Sequence, residues 1–184
     1  MKHLKILLIV IIIALSGFST SQAQFNPYTD LNGMATLGLG ASGRGIPIFA
    51  RFEKGIKDNI SIGGQISNRS FRNNYFDGDY WRHTVIGIAG RGSYHFNELL
   101  GLDDQWDLYS GVSLGYYVLS TRYVNNNGFG VDIDYTGTGL GGLYLGFISG
   151  GRYFINDRLA LNVEFGGGSI GYWDGTIGLT LQLN

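Results

Sequence analysis

Residues 108–118 read Leu108-Tyr109-Ser110-Gly111-Val112-Ser113-Leu114-Gly115-Tyr116-Tyr117-Val118, with Leu108, Val112, Leu114, Tyr116 and Val118 on one parity and Tyr109, Gly111, Ser113, Gly115 and Tyr117 on the other. A period of two sustained this long belongs to a β-strand, whose successive side chains point to opposite faces. Working outward, seven more segments keep the same rhythm. Toward the N-terminus they are Ala35, Leu37, Leu39 and Ala41 against Thr36, Gly38, Gly40 and Ser42; Ile46, Ile48, Ala50 and Phe52 against Phe49, Arg51 and Glu53; Ile60, Ile62 and Ile66 against Ser61, Gly63, Gln65, Ser67 and Arg69; and Ile86, Ile88, Tyr94 and Phe96 against Val85, Gly87, Ala89, Arg91, Ser93 and His95. Toward the C-terminus they are Leu143, Leu145, Phe147 and Tyr153 against Gly142, Tyr144, Gly146, Gly150 and Arg152; Leu159, Leu161, Val163 and Phe165 against Ala160, Asn162, Glu164 and Gly166; and Ile177, Leu179, Leu181 and Leu183 against Thr176, Gly178, Thr180 and Gln182. Eight strands and no helical period define an all-β chain.

Composition narrows the choice. Glycine supplies 31 of 184 residues while proline supplies 2, and 23 residues are Phe or Tyr. Collagen needs a strict glycine period with abundant proline, and a disordered chain lacks aromatics, so both are excluded. With no cysteine there is no disulfide framework, thiolate metal site or catalytic thiol. Thirteen basic against 14 acidic residues leave no positive field to recruit nucleic acid.

The first 23 residues differ in kind from the rest. Lys2, His3 and Lys5 precede an unbroken apolar run at residues 6–15, and Ser21-Gln22-Ala23 closes the segment with small residues. This is the pattern of a secretory signal peptide cut after Ala23, because about ten apolar residues fall short of the 20 that a spanning helix needs. One exported domain, residues 24–184, is expected to remain. Compact connections are expected at residues 54–59, 97–105 and 155–158, and long polar loops at residues 70–82 and 123–139, all the long ones at one end.

Alternation alone does not say which face meets water. A soluble surface is normally rich in charge, with lysine prominent, yet beyond residue 23 the only lysines are Lys54 and Lys57. The polar face is mostly Gly, Ser and Thr around a few long side chains. Turned inward, those small residues make room in a narrow tube for a lumen charge network of Arg51, Glu53, Arg91, Arg152 and Glu164. An eight-stranded barrel has an interior just wide enough to be filled by side chains. The apolar face carries no charge in its middle, as a lipid-facing surface requires. Phe52, Tyr94, Phe96 and Tyr153 fall on that face near the compact-turn end, with Trp173 toward the other, which are the places of interfacial aromatic girdles. The strand directions predict Arg51, Arg91 and Arg152 at one depth, with Glu164 rising to meet them.

The stretches Gly150-Gly151-Arg152-Tyr153-Phe154-Ile155-Asn156-Asp157-Arg158-Leu159-Ala160-Leu161, Asn97-Glu98-Leu99-Leu100 and Trp106-Asp107-Leu108-Tyr109-Ser110-Gly111-Val112-Ser113-Leu114-Gly115-Tyr116 resemble the small outer-membrane β-barrel superfamily of the OmpA/OmpX type. The resemblance implies an eight-stranded antiparallel up-and-down transmembrane barrel with compact periplasmic turns, extracellular loops and a polar, mostly closed lumen. It implies the outer membrane as location, membrane lipid and the barrel assembly machinery as partners, and a monomeric state. The chain departs from that family's usual aromatic end, closing on Leu181-Gln182-Leu183-Asn184.

An envelope-structural or surface-interaction role without enzymatic activity is the expected function, with any surface ligand held by loops 70–82 and 123–139. The alternatives are a narrow porin-like channel and a soluble exported lipocalin-like binding protein. No cofactor or metal is expected. Asp132, Asp134 and Asp174 match no calcium-loop spacing, and the glycine pairs precede no helix that could hold a phosphate. His83, beside Asp77, Asp79 and Thr84, is the one general-base candidate, and a solvated rim histidine is its simpler reading.

Overall fold

The computed structural model describes residues 33–42, 45–57, 59–74, 80–124, 137–169 and 173–183. The signal-peptide segment, residues 1–23, lies outside them, as do Asp77, Asp79, Asp132, Asp134 and the side chains of Trp173 and Asp174. Eight strands follow one another: β1 (Gly33–Ser42), β2 (Ile48–Lys57), β3 (Ile60–Asn74), β4 (Tyr80–His95), β5 (Trp106–Val124), β6 (Gly137–Phe154), β7 (Leu159–Gly168) and β8 (Trp173–Leu183). Each pairs antiparallel with its neighbours in sequence. β1 then pairs with β8, from Gly33 opposite Leu183 to Ser42 opposite Asp174, and closes the barrel. The fold is the closed eight-stranded up-and-down barrel that the alternation predicts.

The faces divide cleanly through the middle of the wall. Leu37, Ile62, Ile66, Ile88, Leu114, Leu143, Phe147, Phe165 and Ile177 are each at least half exposed on the outside, while Arg51, Arg91, Asn162, Thr180 and Gln182 are buried inside. On β5 the outward apolar positions run from Leu108 to Val118. Ten residues at about 3.3 Å each, inclined by about 40°, make a band about 25 Å tall, the height of a barrel's hydrocarbon belt.

At the compact-turn end, Tyr94 and Phe96 pack edge to face at 5.1 Å, and Trp106 meets Tyr153 at 4.9 Å. Phe52, on the outward face of β2, is 49% exposed. Trp106 therefore joins the girdle residues expected from sequence; its parity with Leu108 and Val112 carries the signal. The same end holds a single helical turn, α1 (Asn97–Leu100), stopped by Gly101 in the left-handed region at φ 59°.

The long connections are shorter than the sequence reading expects. Residues 70–74 pair with residues 80–84, ending with Asn74 opposite Tyr80, so most of the segment 70–82 is ladder. Likewise β5 runs to Val124 and β6 starts at Gly137, which takes both ends of 123–139 into the wall. The polarity of Asn, Arg and Ser suggested loop; here Ser70, Arg72, Asn74 and Arg82 are outward positions of strands that have risen beyond the belt.

Lumen glycines are space for rings. A Cβ on Gly150 would sit 2.7 Å from the Tyr109 hydroxyl and 2.7 Å from the Val163 carbonyl, whereas one on Gly92 would touch nothing within 4 Å. Gly150→Val is therefore expected to cost about 1–3 kcal/mol by overpacking, and Gly92→Ala to leave stability within about 0.5 kcal/mol of the parent. Urea unfolding of the refolded barrel, followed by tryptophan fluorescence, measures both; equal midpoints for the two variants would refute the packing argument.

Candidate functional site

The inward parity of β2, β4, β5, β6 and β7 delivers every long charged side chain of the mid-wall into one tube. Two layers form there. In the first, Glu164 of β7 is the hub. Its Oε1 accepts from Arg51 Nη2 at 2.8 Å and Arg91 Nη1 at 3.0 Å, and its Oε2 accepts from Arg91 Nη2 at 2.6 Å and the Tyr109 hydroxyl at 2.8 Å. Gln65 Oε1 receives Arg51 Nε at 3.1 Å and Arg91 Nη1 at 3.0 Å, and the Arg51 guanidinium lies 5.0 Å from the Phe49 ring centre. Both carboxylate oxygens are thus saturated by charge-assisted hydrogen bonds.

In the second layer Arg152 is the hub. It donates to Asp107 Oδ2 at 2.7 Å and is ion-paired with Glu53, and its guanidinium lies 4.5 Å from the Tyr109 ring centre. Asp107 Oδ1 meets His95 Nδ1 at 2.8 Å, and His95 Nε2 meets the Ser61 hydroxyl at 2.9 Å. The layers join through Tyr109, whose ring carries Arg152 and whose hydroxyl bonds Glu164, and through Arg91 Nε, 3.8 Å from Glu53 Oε1.

The structure brings Arg51, Arg91 and Glu164 together, and Glu53 with Arg152. It does not put the three arginines at one depth: Arg152 sits opposite Asp107 in the ladder and bonds there, because the stagger of a closed barrel displaces residues that strand-by-strand counting aligns. Asp107, His95, Ser61, Tyr109 and Gln65 are members that sequence reasoning missed as a site. Tyr109, Ser61, Gln65 and His95 stood on the inward parity, but nothing in one dimension marks which of them meet across the tube. Asp107 shares that parity and was passed over because it lies at a strand start.

Arg51, Glu53, Arg91, Arg152, Glu164, His95 and Asp107 are all buried, the most exposed being Arg91 at 6%. In these two layers three guanidiniums face three carboxylates, and Arg69 stands higher on the inward face, donating to the Ser42 hydroxyl at 3.2 Å. Toward the long-loop end the first layer floors a cavity of about 120 Å³ lined by Gln65, Arg91, Ser113, Tyr144, Glu164 and Thr176. That is room for a few waters. His83 lies higher on the wall. Its Nδ1 meets Thr121 Oγ1 at 3.0 Å and its ring stacks on Phe71 at 4.9 Å, and its hydrogen-bonded neighbours are Thr121 and Asn73. Among the described residues no group of three His, Cys, Asp or Glu is arranged to hold a metal ion.

A closed eight-stranded wall with an apolar exterior and a charged, hydrogen-bonded interior defines a small transmembrane β-barrel. Solved structures agree on the fold. Neisserial surface protein A superposes with a TM-score of 0.54 at 11% identity, over 83% of this chain and 94% of that one. The attachment invasion locus protein of Yersinia pestis, in complex with the heparin analogue sucrose octasulfate, superposes with a TM-score of 0.53 at 8% identity, over 83% of this chain and 98% of that one. No protein-family model matches the sequence, and no curated protein does.

Removing the first hub tests the layer arrangement. Glu164→Gln leaves Arg51 and Arg91 buried without their shared carboxylate, and breaking a buried pair in this way costs about 3–5 kcal/mol. Glu98→Gln, at an exposed side chain bonded to Asn59 at 2.9 Å, is expected to cost less than about 0.5 kcal/mol. Urea midpoints of the two refolded variants check the contrast.

Proposed function

We propose that this protein is a monomeric outer-membrane barrel, delivered by the assembly machinery, that serves envelope structure or surface interaction and neither conducts nor catalyses. The observation that carries this reading is the combination of a lipid-matched exterior with an interior whose charges are spent on one another. Two layers of bonded side chains cross the tube in series, and a conducting path would have to break both. The long-loop end is the part free to meet partners. Its wall rises past the belt on β3, β4 and β5, with Trp81 against Tyr123 at 5.0 Å on the inner side and Arg82 beside Tyr80 on the outer. A barrel of this fold has been captured with a sulfated sugar, which supports a ligand-bearing surface as a workable use of the architecture.

Cell fractionation and planar-bilayer recording test the reading together. We expect recovery with outer membranes, faster gel migration before boiling than after, and no current above that of bare lipid. Recovery as a soluble protein without a heat shift would favour the lipocalin-like alternative, and discrete conductance steps would establish the porin-like one.

One observation favours a second reading, hydrolysis. Ser61, His95 and Asp107 are bonded in the order nucleophile, base, orienting acid. Against it, Ser61 is 1% exposed, His95 and Asp107 are fully buried, and the other oxygen of Asp107 is held by Arg152. A substrate carbonyl has no route to the hydroxyl. Treating the folded barrel with a fluorophosphonate probe is expected to leave Ser61 unlabelled; an adduct at Ser61, absent from Ser61→Ala, would install the enzyme reading instead.

A further inference from the structure

The outer face of the wall changes character where β3, β4 and β5 rise above the belt. Register sets Arg72 directly opposite Arg82, and Arg82 directly opposite Arg122. Three arginines therefore stand side by side on adjacent strands, with Cβ atoms about 5 Å apart. All three are exposed. They share outward parity with Ile66, Ile86, Ile88 and Val118, so they face the surrounding membrane and not the lumen. The row beneath is Ser70, Thr84 and Ser120, and the row above is Asn74, Tyr80 and Val124. Like charges directly opposed on a sheet destabilise it. Two guanidiniums nonetheless converge on one ring: Arg72 lies 5.0 Å and Arg82 5.7 Å from the Tyr80 centroid, and Arg82 donates to the Tyr80 hydroxyl at 3.2 Å.

Height decides what such a row meets. Arg122 stands four residues beyond Val118, about 13 Å along the strand and about 10 Å along the barrel axis after tilt. The polar layer of a bilayer extends roughly 5–8 Å past the hydrocarbon, and an arginine side chain reaches several ångströms back toward it. The arginine row thus stands within side-chain reach of the lipid phosphates, with a band of hydroxyls and then the apolar belt directly below for acyl chains.

We propose that Arg72, Arg82 and Arg122 form a binding site for the phosphate groups of an anionic lipid in the leaflet at the long-loop end. The occupant is a lipid and not a soluble anion because the row is outward-facing and continuous with the belt. Arginine suits the task, pairing with phosphate through two parallel N–H donors. The inference rests on the reading of the chain as a membrane barrel.

The test uses the full refolded barrel in zwitterionic micelles, titrated with fluorescent diphosphoryl lipid A and competed with phosphatidylglycerol, phosphatidylcholine or inorganic phosphate. Each arginine near an anionic surface is worth roughly a fivefold change in binding, so R72Q/R82Q/R122Q is expected to bind about a hundredfold more weakly. R72K/R82K/R122K should retain most of the affinity, and R158Q, at the turn end, all of it. The proposal is overturned if the triple glutamine variant binds within twofold of the parent, if phosphatidylcholine competes as well as phosphatidylglycerol, or if millimolar inorganic phosphate displaces the probe, which would mark a free-anion site. Should the triple variant not fold, R82Q alone must lose about fivefold. Failure of the barrel reading shows separately, as a parent protein with no heat-shifted migration.

Discussion

Hydrocarbon offers no partner to a backbone N–H or C=O, and the rest of this structure follows from that. A strand in such a medium must be bonded along both edges, so a sheet there can have no first or last strand. The seam between β1 and β8, ten opposed residues long, is where the condition is met. Closing a sheet of only eight strands makes a tight tube, and tightness explains the glycine content better than flexibility does. Gly150 is small because Tyr109 lies against it, and Gly115 is small because the Tyr144 ring lies 2.6 Å from where its Cβ would be.

The same medium dictates where charge goes. With the exterior closed to it, every mid-wall charge points inward, where water is scarce and an isolated ion is costly. The interior answers by ion-pairing Arg51, Arg91 and Arg152 with Glu53, Asp107 and Glu164 in two layers. Such pairs are weak contributors to net stability, since desolvation offsets their attraction, but they penalise error. A slip of one residue in β7 would turn Glu164 to the lipid and Val163 to the lumen, stranding Arg51 and Arg91. The network thus specifies register, and the sealed lumen is a consequence of that specification.

Much of this was legible one residue at a time. The parity of Leu108 through Val118 names a strand and its faces, and the scarcity of lysine tells which face is wet. Those inferences need only local periodicity. What depends on the closed geometry was not legible. Arg152 finds Asp107 and Glu53 instead of Glu164 because the barrel's stagger decides which residues share a level. The relay from Ser61 through His95 to Asp107 joins three strands diagonally. The upward extensions of β3, β4 and β5 were hidden for a different reason: their outward residues are polar, which in a soluble chain marks a loop.

That last misreading points to a boundary written into the strands. Below it the outward positions are Ile66, Ile88 and Val118, and the inward ones Gln65, Ala89 and Tyr117. Above it the outward positions are Arg72, Arg82 and Arg122, and the inward ones Phe71, Trp81 and Tyr123 together with Asn73, His83 and Thr121. The alternation continues without a break while its outward chemistry changes from apolar to basic, passing through the neutral hydroxyl row of Ser70, Thr84 and Ser120. Backbone geometry cannot cause that change, because the ladder is the same on both sides. A change of medium outside the barrel does: hydrocarbon selects apolar residues outward, and the hydrated, charged layer beyond selects arginine outward. The hydroxyl row therefore marks the edge of the hydrocarbon on this face, and it does so independently of the girdle of Phe52, Tyr94, Trp106 and Tyr153 at the opposite end.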